Sequence, residues 1–441
     1  MKHLIILAFL LIFAASLAWS SGQKEAAGKA VEKQTLTIGA RAWVYTKFDT
    51  KNAGEKFMSD HPAIKVKFIT TPDEFVPTYL VDWKTDNPET DMHLGGIANK
   101  LGGLEVAGVL LDLTDTMTGN MAKEKFASAF LKNCRFEKAG KPYYPIIPFM
   151  GEITVIDVNL KLYREAGMMK NETEAVGPPS WDKAEMKAYF KKLAAVSPQG
   201  HALGLPMQAN VPNIYHGYLL PILSQRGSIY APGQDQLLDF ESDAAINALT
   251  IFSELYKEGI LFPNVSKFAE TLTAYKGGTL PALQESHSKM VETAGVLGED
   301  NVSFIMWPGY EKHGTVAFTG GTVIAKNSNH IEAAKMFIRE QLITKDFDQW
   351  SFNRYGKLPV LKESYTSPGL TWFQDQAKRI VEIADKSTVE PIYPDDVELR
   401  RMMGEYIHPA VMGDMKPAEA LRKLREQIKG QNLNLKRMEI Q

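Results

Sequence analysis

The stretch GKPYYPIIPFMGEITVIDVNLKLYREAGM, residues 140–168, decides the fold. Its character changes twice. Pro142, Pro145 and Pro148 stiffen an extended path with few accessible conformations. Ile153, Val155 and Ile156 then make an extended apolar run, and residues 160–167 read as a short helix. One carboxylate, Glu152, stands at the junction. A stiff path followed by a strand suits a connection that bends at defined places. The stretch therefore reads as a passage between two bodies, with Glu152 at the mouth of the cleft that separates them.

The flanks agree. Upstream, TLTIGARAW from Thr35 alternates like a strand and breaks into an aromatic loop, and residues 63–69 alternate apolar and basic. A helix over 75–85 follows, then the short strand of TDMHLGG, then the helix of LGGLEVAGVLLDL. Strand and helix in alternation predict a mostly parallel sheet covered on both faces. Downstream the pattern turns helical, over 215–225, 243–258, 267–275 and 285–294. FTGGTVIAKNSNHIEAAKMFIREQL then returns to strand, turn and helix, and the tail over 397–429 is helical. One kind of domain, then another, then the first again means that the chain crosses between lobes more than once.

The chain has 441 residues, too many for one typical core and enough for two. A formal net charge of −2 leaves no global basic field for nucleic acid or a membrane surface. The start, MKHLIILAFLLIFAASLAWSS, carries Lys2 and an apolar run too short for a comfortable membrane span. It reads as a signal peptide over 1–21, with an uncleaved anchor as the alternative, followed by a polar, flexible tether over 22–34. The single cysteine, Cys134, excludes an internal disulfide and a Cys-rich zinc site, and reads as a buried thiol. The histidines are dispersed without metal spacing, and no hydrolase, zincin, P-loop or dinucleotide motif is present. No catalytic residue, cofactor or metal is expected.

Seven segments in order, among them TLTIGARAW, ETDMHLGGIANKLGGLEVAGVLLDLTD, PPSWDKAEMKAYFKKLA and GKLPVLKES, resemble the extracellular solute-binding proteins of ABC importers, family 1, whose better-known members bind maltose and other oligosaccharides. The resemblance implies an α/β fold of the periplasmic binding protein type II, two lobes with a cleft between them. It implies a first lobe over 35–149 and 302–351 and a second, more helical lobe over 152–300 and 356–441. The crossings fall near 149–152, 301–306 and 352–357. The sequence departs from the family pattern in three places: Val158 precedes Asn159 where a tyrosine is usual, Ser180-Trp181 replaces Thr-Trp, and His287 stands near a usual tryptophan.

A sugar cleft mixes polar groups for hydroxyls with aromatic rings for C–H faces. By the resemblance, Arg41, Trp43 and Tyr45 follow the first strand and face the cleft, and Glu152 falls where relatives place a sugar-contacting carboxylate. Tyr215 and His216 open a helix that lines it. Gly95, Gly96, Thr319, Gly320 and Gly321 end strands, and Glu285, His287, Trp307 and Trp372 complete the candidate ligand-binding set. The alternatives are core packing for the aromatic residues, ordinary turns for the small ones and structural roles for the histidines. The function implied is a monomeric, exported, periplasmic or outer-face protein. It captures a small saccharide-like solute by lobe closure and hands it to an ABC permease. A secreted carbohydrate-active enzyme, which would need a carboxylate pair such as Glu152 with Asp91 or Glu285, and a sensor subunit for a membrane receptor are the other readings.

Overall fold

The computed structural model describes residues 34–47, 50–72, 74–210, 213–231, 238–366 and 374–438. The signal peptide and nearly all of the tether lie outside these residues. The strands, in chain order, are β1 (Gln34–Arg41), β2 (Ile64–Thr71), β3 (Met92–Ile97), β4 (Phe136–Lys138), β5 (Lys141–Tyr143), β6 (Ile147–Asn159), β7 (Leu203–Gly204), β8 (Ala282–Ser286), β9 (Val302–Ile305), β10 (Val316–Ile324) and β11 (Thr388–Val389). Apart from the hairpin β4–β5, they form a sheet in the order β2-β1-β3-β10-β6-β8-β7, with β11 beside β10 and β9 beside β6. The outer pairs β1–β2, β1–β3 and β7–β8 are parallel, and the central pairs around β6 and β10 are antiparallel.

Everything turns on β6. It is 13 residues long and buried throughout, about twice the usual strand length. The sequence reads this segment as a crossing and then a strand; the structure fuses the two. Residues up to Ile153 pair with β10, Ile153 opposite Ala317. From Thr154 the partner is β8, with β9 joining at Ile156. Pro148 has no N–H to give the ladder, and there the register with β10 slips, Met150 facing Gly320 and Pro148 facing Gly321.

Two cores meet near the change of partner, with Val155 and Phe304 still in the first. Ile153 packs with Leu36, Ile38, Met92, Ala317, Leu358 and Ile380. Ile156 and Val158 pack with Leu219 and Ile222 of the helix Asn213–Arg226, with Phe252, and with Met402 and Leu424. Those last two lie on the C-terminal helices Asp396–Met412 and Pro417–Gln431. Helices cover both faces in a two-lobed α/β fold, as the resemblance implies. Cys134 is fully buried, and burial pushes its thiol well above the usual range.

Residues 302–305 pair with the far half of β6, while Phe304 and Met306 pack in the first core and Ile305 and Trp307 in the second. Leu358, Leu361, Ile380 and Ile383 pack in the first core, and β11 extends β10. Tyr393, Leu399 and Met402 then pack in the second core. The sequence lacks a signal for this because apolar helices of either lobe look alike.

Residues 356–358 dock onto β6 where its partners change: Gly151 and Leu358 exchange N–H to carbonyl hydrogen bonds of 2.9 and 2.8 Å. Gly356 ends the preceding helix with φ +67°, and a Cβ there would lie 2.4 Å from Val291 Cγ2. Gly356→Ala is therefore expected to destabilise the fold by about 2 kcal/mol or more, from left-handed strain plus the clash, read as a lower urea midpoint.

Candidate functional site

The three elements that meet at Glu152 share a buried polar cluster. Glu152 lies on β6, 7% exposed, and pairs with Lys357, which is equally buried. Its other oxygen accepts from the hydroxyls of Ser286 and, at 2.9 Å, Ser288. Lys357 also donates to Ser288 Oγ at 3.1 Å. His287 completes the joint: its N–H donates to the Ile153 carbonyl at 3.1 Å, its Nδ1 accepts from the Ile153 N–H at 3.3 Å, and its Nε2 donates to the Gly356 carbonyl at 2.6 Å. Thr315 Oγ1 donates to the Thr154 carbonyl at 2.5 Å, tying in the passage before β10.

The electrostatics follow from this geometry. Burial alone raises the Glu152 carboxyl; the Lys357 charge and the hydrogen bonds from Lys357 and Ser286 outweigh it and hold the group at about 2. Burial lowers the His287 imidazole to about 4 against the pull of Glu152, so at neutral pH it is uncharged, in keeping with one donating and one accepting nitrogen.

Several sequence candidates gather beside this cluster. Arg41 ends β1, and Trp43 lies in the helix Ala42–Lys47. The Arg41 guanidinium and the Lys357 ammonium stand 5.5 and 5.6 Å from the Trp43 ring centre. Tyr45 is 36% exposed and meets Phe68 edge-on. His216 stacks on Phe318, ring centres 4.3 Å apart and 22° from coplanar, with Nε2 3.5 Å from Glu390 Oε1. Burial opposes a charge on His216, but Glu390, Glu285 and Glu152 outweigh it and raise the imidazole above its usual value. Burial raises the Glu390 carboxyl as well. Glu285 accepts from the Asn213 amide at 2.7 Å.

The remaining candidates are held by packing. Tyr215 is fully buried and donates to Asp396 Oδ1 at 2.6 Å. Trp307 is fully buried, stacks on Trp181 at 4.9 Å and donates to Gln284 Oε1 at 2.7 Å; Gln284 in turn donates to the His216 carbonyl at 2.7 Å. Thr319 Oγ1 reaches the Phe130 carbonyl at 3.3 Å. A Cβ on Gly96, Gly320 or Gly321 would strike Leu101, Met150 or Ile146. Gly95, with φ +87°, lies against Val44. Trp372 falls outside the described residues. Asp91, offered as an enzymatic partner, is engaged elsewhere, accepting from the Thr37 N–H, from Ser328 Oγ and from His330.

Sequence reasoning missed Lys357, Phe318, Glu390 and the Ser286–Ser288 pair. Phe318 carries a weak signal, since it immediately precedes the chosen Thr319 and is the ladder partner of Glu152. Glu390 carries none, because only folding brings it beside β10.

The Glu152 cluster carries a pH signature. The unfolded carboxyl titrates near 4.5 and the folded one at about 2, a difference worth about 3 kcal/mol at neutral pH. A depressed carboxyl contributes its full stability above its unfolded value and loses it as pH falls toward the folded one. The stability gap between wild type and Glu152→Gln is therefore expected to be widest above about pH 4.5 and to close toward pH 2, measured by denaturant unfolding.

No protein-family model matches the chain, and no curated protein matches it. Solved structures do. Maltose-bound MalE3 of T. maritima superposes with a TM-score of 0.74 at 16% identity, over 90% of this chain and 99% of that one. An ABC substrate-binding protein of Listeria monocytogenes in complex with cycloalternan gives 0.73 at 15%, over 91% and 100%. An ABC transporter solute-binding protein of Agrobacterium radiobacter K84 in complex with ribitol gives 0.71 at 16%, over 91% and 100%. At such identities the likeness concerns architecture: this chain has, nearly end to end, the two-lobed fold of sugar-binding ABC substrate-binding proteins.

Proposed function

We propose that this protein is the solute-binding component of an ABC importer, holding a sugar or polyol between two lobes and delivering it to a membrane permease. The observation that supports the reading is the change of strand partner at residues 153–154 of β6, with a polar cluster at the joint and two apolar cores that meet there, Val155 and Phe304 still in the first and Val316 in the second. In this reading residues 34–150 and 316–389 form one lobe, and residues 154–305 and 396–438 the other. The backbone bends at the joint while Glu152, Lys357 and His287 keep its strands in register. Closure would be a hinge motion, with contacts to both lobes favouring the closed state.

The ligands of the structural neighbours, maltose, cycloalternan and ribitol, support a sugar or polyol as the solute. Trp43, half-buried beside Lys357, is the aromatic platform of the first lobe in this reading, and His216 and Glu285 are the contributions of the second. The protein acts as a monomer outside the cytoplasmic membrane and changes no bond in its guest. Glycoside hydrolysis needs a free carboxylate pair astride the bond, and Glu152 is already neutralised by Lys357.

The test is titration with maltose, ribitol, D-mannitol and a wider set of neutral oligosaccharides, following tryptophan fluorescence and melting temperature. A binding protein gains about 2.7 kcal/mol at a hundredfold excess over Kd, which raises the melting temperature by several degrees, and chromatography returns the sugar unchanged. Trp43→Ala is expected to weaken a confirmed sugar about tenfold, the loss of one ring contact. Release of a cleaved product, or a scattering profile unaltered by a saturating sugar, would overturn the reading.

A further inference from the structure

Three neighbouring strands place Glu152, Phe318 and Glu390 side by side. Glu152 and Phe318 are direct partners on β6 and β10. β11 joins β10 in parallel at Val316 and Ala317, and the Glu390 N–H donates to the Ala317 carbonyl at 2.9 Å, so Glu390 continues alongside Phe318. Phe318 is buried yet belongs to neither of the two main cores. His216, from the other core, lies on its ring.

Two polar side chains in this group, those of His216 and Glu390, lack hydrogen bonds. His216 is 4% exposed and Glu390 fully buried, yet neither imidazole nitrogen and neither carboxylate oxygen has a hydrogen-bond partner. Their 3.5 Å approach is a charge contact only. Buried polar atoms are nearly always paired, and an unpaired set marks a place where something else supplies the partner.

The charges around the group decide what that partner is. Lys357 is matched to Glu152, Arg400 to Asp396 and Lys289 to Glu292. Arg41 lies against Trp43, and its field falls on His93 and Lys100. Glu285 takes a neutral amide, and Glu390 takes no hydrogen bond. Three carboxylates, Glu390, Glu285 and Glu152, face His216, and the other neighbouring cations are engaged. An entering carboxylate therefore meets more negative than positive charge, whereas a hydroxyl has a proton to donate to Glu390 and a lone pair to receive one from His216.

We propose that Glu390 and His216, set over Phe318, are the specificity-determining pair of the cleft, selecting an uncharged hydroxyl-rich solute and rejecting its acidic counterpart. This rests on the solute-binding reading above. The test uses matched probes that differ by one carboxylate: maltose with maltobionate, D-mannitol with D-mannonate, and ribitol with ribonate, alongside further neutral sugars and their aldonates. Calorimetry on the wild type is expected to show the neutral member of a binding pair held at least about thirtyfold tighter, the scale of one buried like-charge encounter. Glu390→Gln removes the charge at constant shape and is expected to narrow that gap to under about threefold. His216→Gln, measured the same way, is expected to weaken the neutral member and serves if Glu390→Gln melts early. An acid bound as tightly as its neutral partner, or variants that stay folded with affinity and gap intact, overturns the proposal while leaving capture standing. If no neutral sugar or polyol binds, the solute-binding reading falls, and this assignment with it.

Discussion

The ion pair between Glu152 and Lys357 is the contact on which the rest of the architecture depends. It lies where the longest strand of the sheet exchanges one neighbour for another, and it joins segments about two hundred residues apart in sequence. Two charges taken out of water are costly unless well matched. Here the carboxylate is also bonded by Ser286 and Ser288, so its burial is met by three donors. Such a contact tolerates few geometries. An apolar joint of the same volume would hold the strands together but would not specify which residues face each other.

The fold is shared with structural neighbours at 15–16% identity. The two cores can exchange one apolar side chain for another of similar volume at small cost. The joint combines backbone bonds, Gly151 with Leu358 and His287 N–H with the Ile153 carbonyl, with side-chain bonds from the His287 imidazole to Ile153 and Gly356.

The general architecture was legible from residues 140–168, because prolines, an apolar run and one carboxylate in that order are unusual and local. Two cores were legible from length and from the switch between alternating and helical patterns. Lobe boundaries were less so. Val302, Phe304 and Ile305 could belong to a strand of either half, and only pairing with β6 decides. Among site residues, Glu152 and His287 read from sequence as ligand contacts and lie at the joint, engaged with Lys357 and with the Gly356 carbonyl, since a sequence shows a carboxylate but not the lysine that faces it. Tyr215 and His216 are neighbours on one helix and point to different surroundings, one to Asp396 and one to Phe318. Glu390 stayed hidden because parallel strand pairing brings it to β10 from seventy residues downstream.

The lone cysteine has a practical consequence. Cys134 is sealed in the interior of the first lobe with its thiol held protonated, and thiolate is the reactive form. The native chain therefore offers maleimide reagents no ready target. A pair of cysteines engineered onto the outer helices, one on each side of the joint, would be the sole acceptors for a donor and an acceptor dye. The wild-type background needs no prior removal of thiols, so the distance between the two halves can be followed by energy transfer in single molecules as solute is added.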